Sequence, residues 1–282
     1  MWHNYCYYSD VMKCPFCWIM LLVFLQSSLS YSAFENKGIG SRNIALGNST
    51  VAAIENLYAI YYNPAGIQYE KKMVIGCSFY YYYGLHDINH YVLVGSMRSG
   101  ESSFSLSISS YGNKLYKEWD LAAGIAFTPQ KNIKFGLSIN QYILSIRNYG
   151  SKGIFGISIG MIYFVQENLY LGAAFFNLNR PKISKEREFI NSSASFGLSY
   201  YIFKSLILHA SLTKQHMLSE DYLFGIEYYL LEIMFIRFGT EINEKIICTG
   251  IGVKNRHINL NYSLRWHPWL GNSHSISISF TL

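Results

Sequence analysis

From about Met73 onward the chain alternates apolar and polar residues with a period of two. SFSLSIS, Ser103 to Ser109, sets Phe104, Leu106 and Ile108 on one face and serines on the other. INLNYSLRW, Ile258 to Trp266, sets Ile258, Leu260, Tyr262, Leu264 and Trp266 opposite Asn259, Asn261, Ser263 and Arg265. The closing SHSISISFTL sets Ile276, Ile278, Phe280 and Leu282 opposite Ser275, Ser277, Ser279 and Thr281. Such alternation marks β-strands with one apolar and one polar face. About fourteen segments carry it, near 73–83, 90–97, 102–110, 119–127, 132–144, 153–164, 168–177, 192–201, 204–214, 221–230, 233–241, 245–252, 256–265 and 273–282.

The connections follow a second alternation. Odd-numbered segments lead into GLHDIN, YGNKLYKE, SIRNYGSK, LNRPKISKEREFIN, QHMLSE, NEK and WHPWLGN. Even-numbered ones lead into RSGE, TPQK, VQE, FK, LE and KNR. Tight turns at one end and longer loops at the other predict an all-β, up-and-down antiparallel transmembrane barrel of about 14 strands. A soluble sandwich would bury the apolar face and protect its edges, whereas a membrane barrel turns that face to lipid and has no edge. Tyrosine or tryptophan flanks many segments, as at 80–83, Tyr163, Tyr200, Tyr228 and Trp266, in the manner of interfacial girdles.

Composition sharpens this picture. Only 14% of the 282 residues are charged, against about 25% in soluble domains, while 50% are hydrophobic. The 25 tyrosines match the girdle reading. The net charge of +6 is spread out and forms no basic stripe, so no nucleic-acid role is expected. Residues 1–32 read as a secretory signal peptide: Met12-Lys13, an apolar run from Phe16 to Leu25, and small residues before Ala33. Translation is expected to begin at Met12, because MWHNYCYYSDV fits poorly ahead of it. The alternative is an anchor helix, for which the run is too short. Cys14 and Cys17 have C-x-x-C spacing but apolar neighbours, and Cys77 and Cys248 make no disulfide framework.

Between the leader and the first strand, residues 33–72 are not strand-like. Asn48-Ser49-Thr50 offers capping oxygens, and Val51 to Leu57 is expected to form a short helix. Asn63-Pro64 is then expected to end that helix, and Gly66 to turn the chain toward the barrel at 73–282. Fourteen strands enclose a lumen wider than side chains fill, and a folded segment of this length would plug it.

Alternation points Glu227, Arg237, Arg265 and His209 into the lumen. If Tyr228 pairs with Ile236 across the turn, Glu227 faces Arg237. Two readings stay open, a polar constriction or carboxylate-binding spot, and a structural ion pair in a wet lumen. The histidines assemble no metal site, His209 has no visible acid partner, and neither a cofactor nor catalysis is expected. Asn48-Ser-Thr50 and Asn191-Ser-Ser193 match a glycosylation pattern that a bacterial outer-membrane protein would not use in that way, and the basic loop Arg180 to Arg187 reads as solvated.

GIGSRNIALGNSTVAAIENLYAIYYNPAGI resembles the N-terminal signature of the FadL-type outer-membrane barrels, nearest to the PorV/PorQ-like branch. The likeness rests on Gly40, Arg42, Gly47, Ala52, Ala53, Ala59, Asn63, Pro64, Ala65 and Gly66, and NLYLGAAFFNLNRPKI (168–183) resembles a mid-barrel phrase of that branch. It departs at Glu55-Asn56, where an aspartate pair is common, and at Leu282, where an aromatic end is usual. The resemblance implies a barrel in the outer membrane of a Gram-negative-type bacterium, in contact with its lipids, with an N-terminal hatch. FadL-type members carry hydrophobic, fatty-acid-like small molecules. PorV/PorQ-like members serve type IX secretion or surface attachment, with secretion-system proteins as partners. A structural porin-like surface protein is the third reading. Both termini are expected in the periplasm, on the side of the tight turns.

Overall fold

The computed structural model describes residues 33–35, 38–67, 73–183, 189–215, 219–231 and 233–282. The leader therefore lies outside the described residues. Fourteen strands form one closed antiparallel barrel. They are β1 (Met73–Tyr81), β2 (Asn89–Ser99), β3 (Ser102–Gly112), β4 (Tyr116–Gln130), β5 (Ile133–Ile146), β6 (Gly150–Gln166), β7 (Leu169–Phe176), β8 (Ser193–Phe203), β9 (Leu206–Gln215), β10 (Glu220–Leu231), β11 (Met234–Glu241), β12 (Ile246–Lys254), β13 (Ile258–His267) and β14 (Gly271–Thr281). Each pairs with its sequence neighbours, and β1 closes on β14 with Val74 opposite Thr281 and Gly76 opposite Ser279. Closure satisfies the ladder groups that an open sheet would leave unpaired at its edges.

All fourteen strands stand where the alternation places them. Their faces are inverted relative to a soluble protein. On β3, Leu106 is 68% exposed while Ser105 and Ser107 are buried. On β14, Ile276 and Phe280 point out while Ser273, Ser275 and Ser277 are buried. A continuous apolar exterior of this kind is unsustainable in water and suits a hydrocarbon surround.

The connections differ from the sequence expectation in one respect. Turns at 100–101, 131–132, 167–168 and 204–205 are tight as expected. At the other end, YGNKLYKE and SIRNYGSK are mostly strand, leaving only 113–115 and 147–149 as turns. Their residues extend β4, β5 and β6 into a taller section of wall, because Tyr111 to Gly112 pair with Lys117 to Glu118 and Leu144 to Ile146 with Gly150 to Lys152. The long connection at this end is 177–192.

Inside the barrel lies the segment 38–67. It contains one helix, α1 (Ser41–Ala45), and two 3-10 turns, Ala59–Tyr61 and Pro64–Ile67. The helix expected at Val51 to Leu57 is absent: that stretch is turns, and the helix lies ten residues earlier. Asn63-Pro64 does not end a helix but starts a turn. Proline's fixed φ suits the first position of a helical turn, and Asn63 Oδ1 accepts the Ala65 N–H at 3.0 Å.

The exterior generates a first prediction. Leu93 is half exposed in the middle of β2. Leu93→Arg is expected to destabilise the barrel in lipid vesicles by about 2–4 kcal/mol in a denaturant titration, the cost of a cation at mid-membrane. Leu93→Met, which keeps the outer face apolar, is expected to cost far less.

Candidate functional site in the lumen

The inner segment runs round the lumen at one level, against a belt of wall glycines. Ala45 packs over Gly250, Leu46 over Gly225 and Gly239, Val51 over Gly172 and Gly197, Pro64 and Ala65 over Gly136 and Gly160, Ile60 and Ile67 over Gly124, and Leu57 over Gly76. A β-carbon at Gly172 would sit 2.5 Å from the Val51 carbonyl oxygen, and one at Gly225 would sit 2.6 Å from that of Leu46. The belt therefore lets backbone lie flush on backbone. Three of the pairs are direct cross-strand neighbours: Gly136 with Gly160, Gly172 with Gly197, and Gly225 with Gly239.

The signature residues act locally to shape this segment. Gly47 adopts φ 60° just past α1. The N–H of Gly47 bonds Ile44 O at 2.9 Å and that of Asn48 bonds Asn43 O at 2.8 Å, a Schellman closure that needs the left-handed conformation. Gly47 also abuts the Thr240 backbone, so a side chain is excluded twice. Gly40 packs under the Tyr58 ring. Asn63 Nδ2 donates to Val51 O at 2.7 Å and to Met161 O at 3.0 Å, tying the segment to itself and to β6.

Hydroxyls and amides pin the rest. Ser41 bonds Ser275 at 2.7 Å, Ser78 donates to Tyr58 OH at 2.6 Å, and Tyr61 bonds Ser107 at 2.6 Å. Tyr62 OH donates within reach of Ile39 O and Asn48 Oδ1 while accepting the Ile39 N–H at 2.7 Å. Burial pushes the Tyr62 phenol well above its ordinary pKa, so it stays a neutral donor. Asn43 and Asn56 exchange reciprocal amide bonds at 2.9 and 3.3 Å.

Two ion-pair clusters join the segment to the wall. In the first, Glu227 on β10 lies between Arg42 of α1, at 2.7 Å, and Arg237 of β11, at 2.9 Å. Tyr228 is paired with Ile236 and Glu227 with Arg237, and Arg237 also donates to Asn261 Oδ1 at 2.8 Å. Burial pushes the pKa of Arg42 down, but Glu227 outweighs it and holds the guanidinium above its ordinary value. In the second, Arg265 of β13 grips Glu241 of β11 through Nε at 3.2 Å and Nη2 at 2.8 Å. Glu241 also accepts from Asn48 Nδ2 of the inner segment at 2.9 Å.

The structure places the four lumen candidates as follows. Glu227 and Arg237 meet, Arg265 belongs to the second cluster around Glu241, farther along β11 toward the longer loops, and His209 stands beside Glu227. His209 Nδ1 bonds Ser199 Oγ at 2.8 Å, while Nε2 stays 3.9 Å from Glu227 Oε2, too far for a hydrogen bond. Sequence reasoning missed Arg42 as the partner of Glu227, missed Glu241, and read Asn48 as a helix cap and not as a partner of the wall. The first contact spans 185 residues and the other 193, and no periodicity reports such pairs. The glycine belt was missed too, although its members recur on the inner faces of several strands. Among the described residues no group of three or more His, Cys, Asp or Glu could hold a metal.

These contacts set a test. Glu227→Gln leaves two largely buried arginines without a countercharge, and is expected to cost about 3–5 kcal/mol. Denaturant unfolding measures the loss, and trypsin cleavage after Arg42 reports release of α1. Arg42→Met is expected to cost less, because Glu227 keeps Arg237.

No protein-family model matches the chain, and no curated protein sequence does. Solved structures do. The CymD monoaromatic hydrocarbon channel matches with a TM-score of 0.68 at 11% identity, over 89% of this chain and 99% of that one. The Ralstonia pickettii toluene transporter TbuX matches at 0.64 and 12%, over 88% and 98%. A Pseudomonas aeruginosa FadL homologue matches at 0.55 and 12%, over 86% and 97%. At these identities the likeness is one of architecture: this chain has the closed β-barrel fold of those channel and transporter structures.

Proposed function

We propose that the protein is an outer-membrane conduit for small hydrophobic molecules, gated by its N-terminal segment acting as a hatch. The observation that carries this reading is the way 38–67 occupies the barrel's waist. It is pressed on the glycine belt and latched by Arg42 to Glu227 and Asn48 to Glu241. Passage then requires the latch side chains to release part of the ring. The Asn63-Pro64-Ala65-Gly66 turn, fixed to β6 through Asn63, is the anchored end. The solved barrels of like fold include a monoaromatic hydrocarbon channel and a toluene transporter, which supports an apolar cargo here.

In the orientation we propose, outer-membrane lipids cover the apolar wall and the tight turns face the periplasm, with the C-terminal end. Phe34 instead packs on Tyr142 near the long-loop end of β5, ring centroids 4.9 Å apart. The described N-terminal end is accordingly read as lumenal and not periplasmic.

The test uses a Gram-negative host with an intact lipopolysaccharide leaflet. Cells producing the protein are expected to take up labelled ethylbenzene faster than cells lacking it, and Arg42→Met is expected to raise that rate several-fold by loosening the latch. Uptake equal to the control would overturn the conduit reading. A purified barrel that carries no apolar molecule in mass spectrometry, but brings down other envelope proteins in stoichiometric amount, would favour the PorV/PorQ-like secretion accessory instead.

A further inference from the structure

The two oxygens of Glu227 have different company. Arg237 of β11 holds Oε1, through Nε at 3.0 Å and Nη2 at 2.9 Å. Arg42 of α1 holds Oε2, through Nη2 at 2.7 Å and Nε at 3.1 Å. The ring of His209 faces that same Oε2, with Nε2 3.9 Å away. An arginine of the inner segment and a histidine of the wall therefore address one oxygen, and only the arginine reaches it.

His209 is held in this position by the wall. β9 carries it between Ser199 of β8 and Gly225 of β10, its two cross-strand partners. Nδ1 is bonded to Ser199 Oγ at 2.8 Å, which orients the ring and leaves Nε2 directed toward Glu227. The side chain is buried, and Nε2 has no hydrogen-bond partner. A buried polar atom without a partner is costly, and a shift of about 1 Å would give it one.

The surrounding charges decide when that shift is favourable. His209 is faced by Arg42 from α1, Glu227 from β10 and Arg237 from β11. The phenols of Tyr201 on β8 and Tyr229 on β10 act on Arg42, and Glu55 of the inner segment gives Arg42 its carbonyl oxygen at 3.4 Å. With α1 seated, two guanidiniums already surround one carboxylate, and a third cation beside them would be repelled. With α1 withdrawn, Oε2 loses its partner and the carboxylate keeps Arg237 alone. A proton on His209 then replaces the lost charge. Nδ1–H donates to Ser199 Oγ and Nε2–H donates to Oε2. The proton comes from the water that enters as the guanidinium leaves, so one positive charge departs and one arrives. Imidazole suits this exchange because its charge changes between about pH 5 and 8.

We infer that His209 stands in for Arg42 at Glu227, so that release of the hatch takes up one proton and acid favours the open barrel. The inference rests on the hatch part of the conduit reading and not on the cargo. Its sign follows from linkage. The open state binds the proton more tightly than the closed one, so the open fraction rises as pH falls, by up to about tenfold per unit for one proton.

The experiment is conductance of the full-length protein in planar lipid bilayers, with the open fraction read at two pH values. From about pH 7.5 to about pH 5.5 the wild-type open fraction is expected to rise roughly tenfold. His209→Gln keeps an amide that can bond Ser199 but cannot take the proton, and its open fraction is expected to be the same at both values. Arg42→Met removes the competitor for Oε2, and frequent openings are expected at both values. Heat-dependent gel mobility confirms that each variant is a folded barrel. A wild-type open fraction that does not rise in acid, including a barrel that never opens, overturns the inference. So does an acid rise that survives in His209→Gln, since another group would then carry it. Ethylbenzene uptake in cells decides the conduit separately: acid openings that depend on His209 without uptake would keep the proton-linked latch and remove the hydrocarbon cargo.

Discussion

A closed sheet of fourteen strands encloses more space than its own side chains fill. Everything distinctive about this chain answers that constraint. The wall's inner residues are small, serine and glycine above all, so the wall does not attempt to fill the lumen itself. Its outer residues are large and apolar, since the surrounding medium is hydrocarbon. The remaining volume is taken by chain, and a chain brought inside carries backbone groups that must find partners. Hence the density of asparagine and tyrosine bonds in 38–67, and hence the glycine belt. Each contact of main chain on main chain removes a void that a flexible side chain would have filled less well.

The alternation made the barrel legible because period two persists through every strand and one register slip would turn serines to lipid. The short LE connection between the tenth and eleventh segments likewise made the facing of Glu227 and Arg237 readable, because it sets Tyr228 opposite Ile236. What failed to show was the fold of the inner segment. Val51 to Leu57 has reasonable helical composition, yet Val51 and Ala52 lay their backbone on Gly172 while Leu57 reaches Gly76 on a distant strand. Tertiary packing overrides a weak local preference here. The turn at Asn63-Pro64 was read with the right residues and the wrong sense, because proline stops a helix that precedes it and starts a turn that follows it.

Arg42 shows why site chemistry is harder to read than architecture. Its place in the signature was visible, but its partner lies on β10, and the barrel's closure alone brings them together. The lumen faces are polar in every strand, so polarity did not single out Glu227, Glu241 or Asp120. What separates them is their company. Glu227 has two arginines, Glu241 has Arg265 and Asn48, and Asp120 has, among the described residues, the neutral amide of Asn140.

The latch also bears on whether the segment can move. A buried ion pair gains much of its Coulomb energy back only against the cost of desolvating both ions, so its net contribution is small beside a well-packed apolar contact. Breaking one partner is costly, whereas moving the pair into a wetter setting together is not. Arg42 already keeps 17% of its side chain exposed, while Glu227 keeps 1%. Water reaching the arginine first would weaken the bond stepwise while Arg237 continued to hold the carboxylate. An attachment of this kind fixes the position of α1 closely without holding it irreversibly. The glycine belt works the same way, through contacts that are close but individually weak. Apolar packing holds the segment as well: Ile39, Ile44, Leu57, Ile60 and Ile67 share one buried cluster with Val74, Tyr80, Val92 and Val94 of the wall, so the polar bonds set the position of the segment while apolar burial opposes its departure.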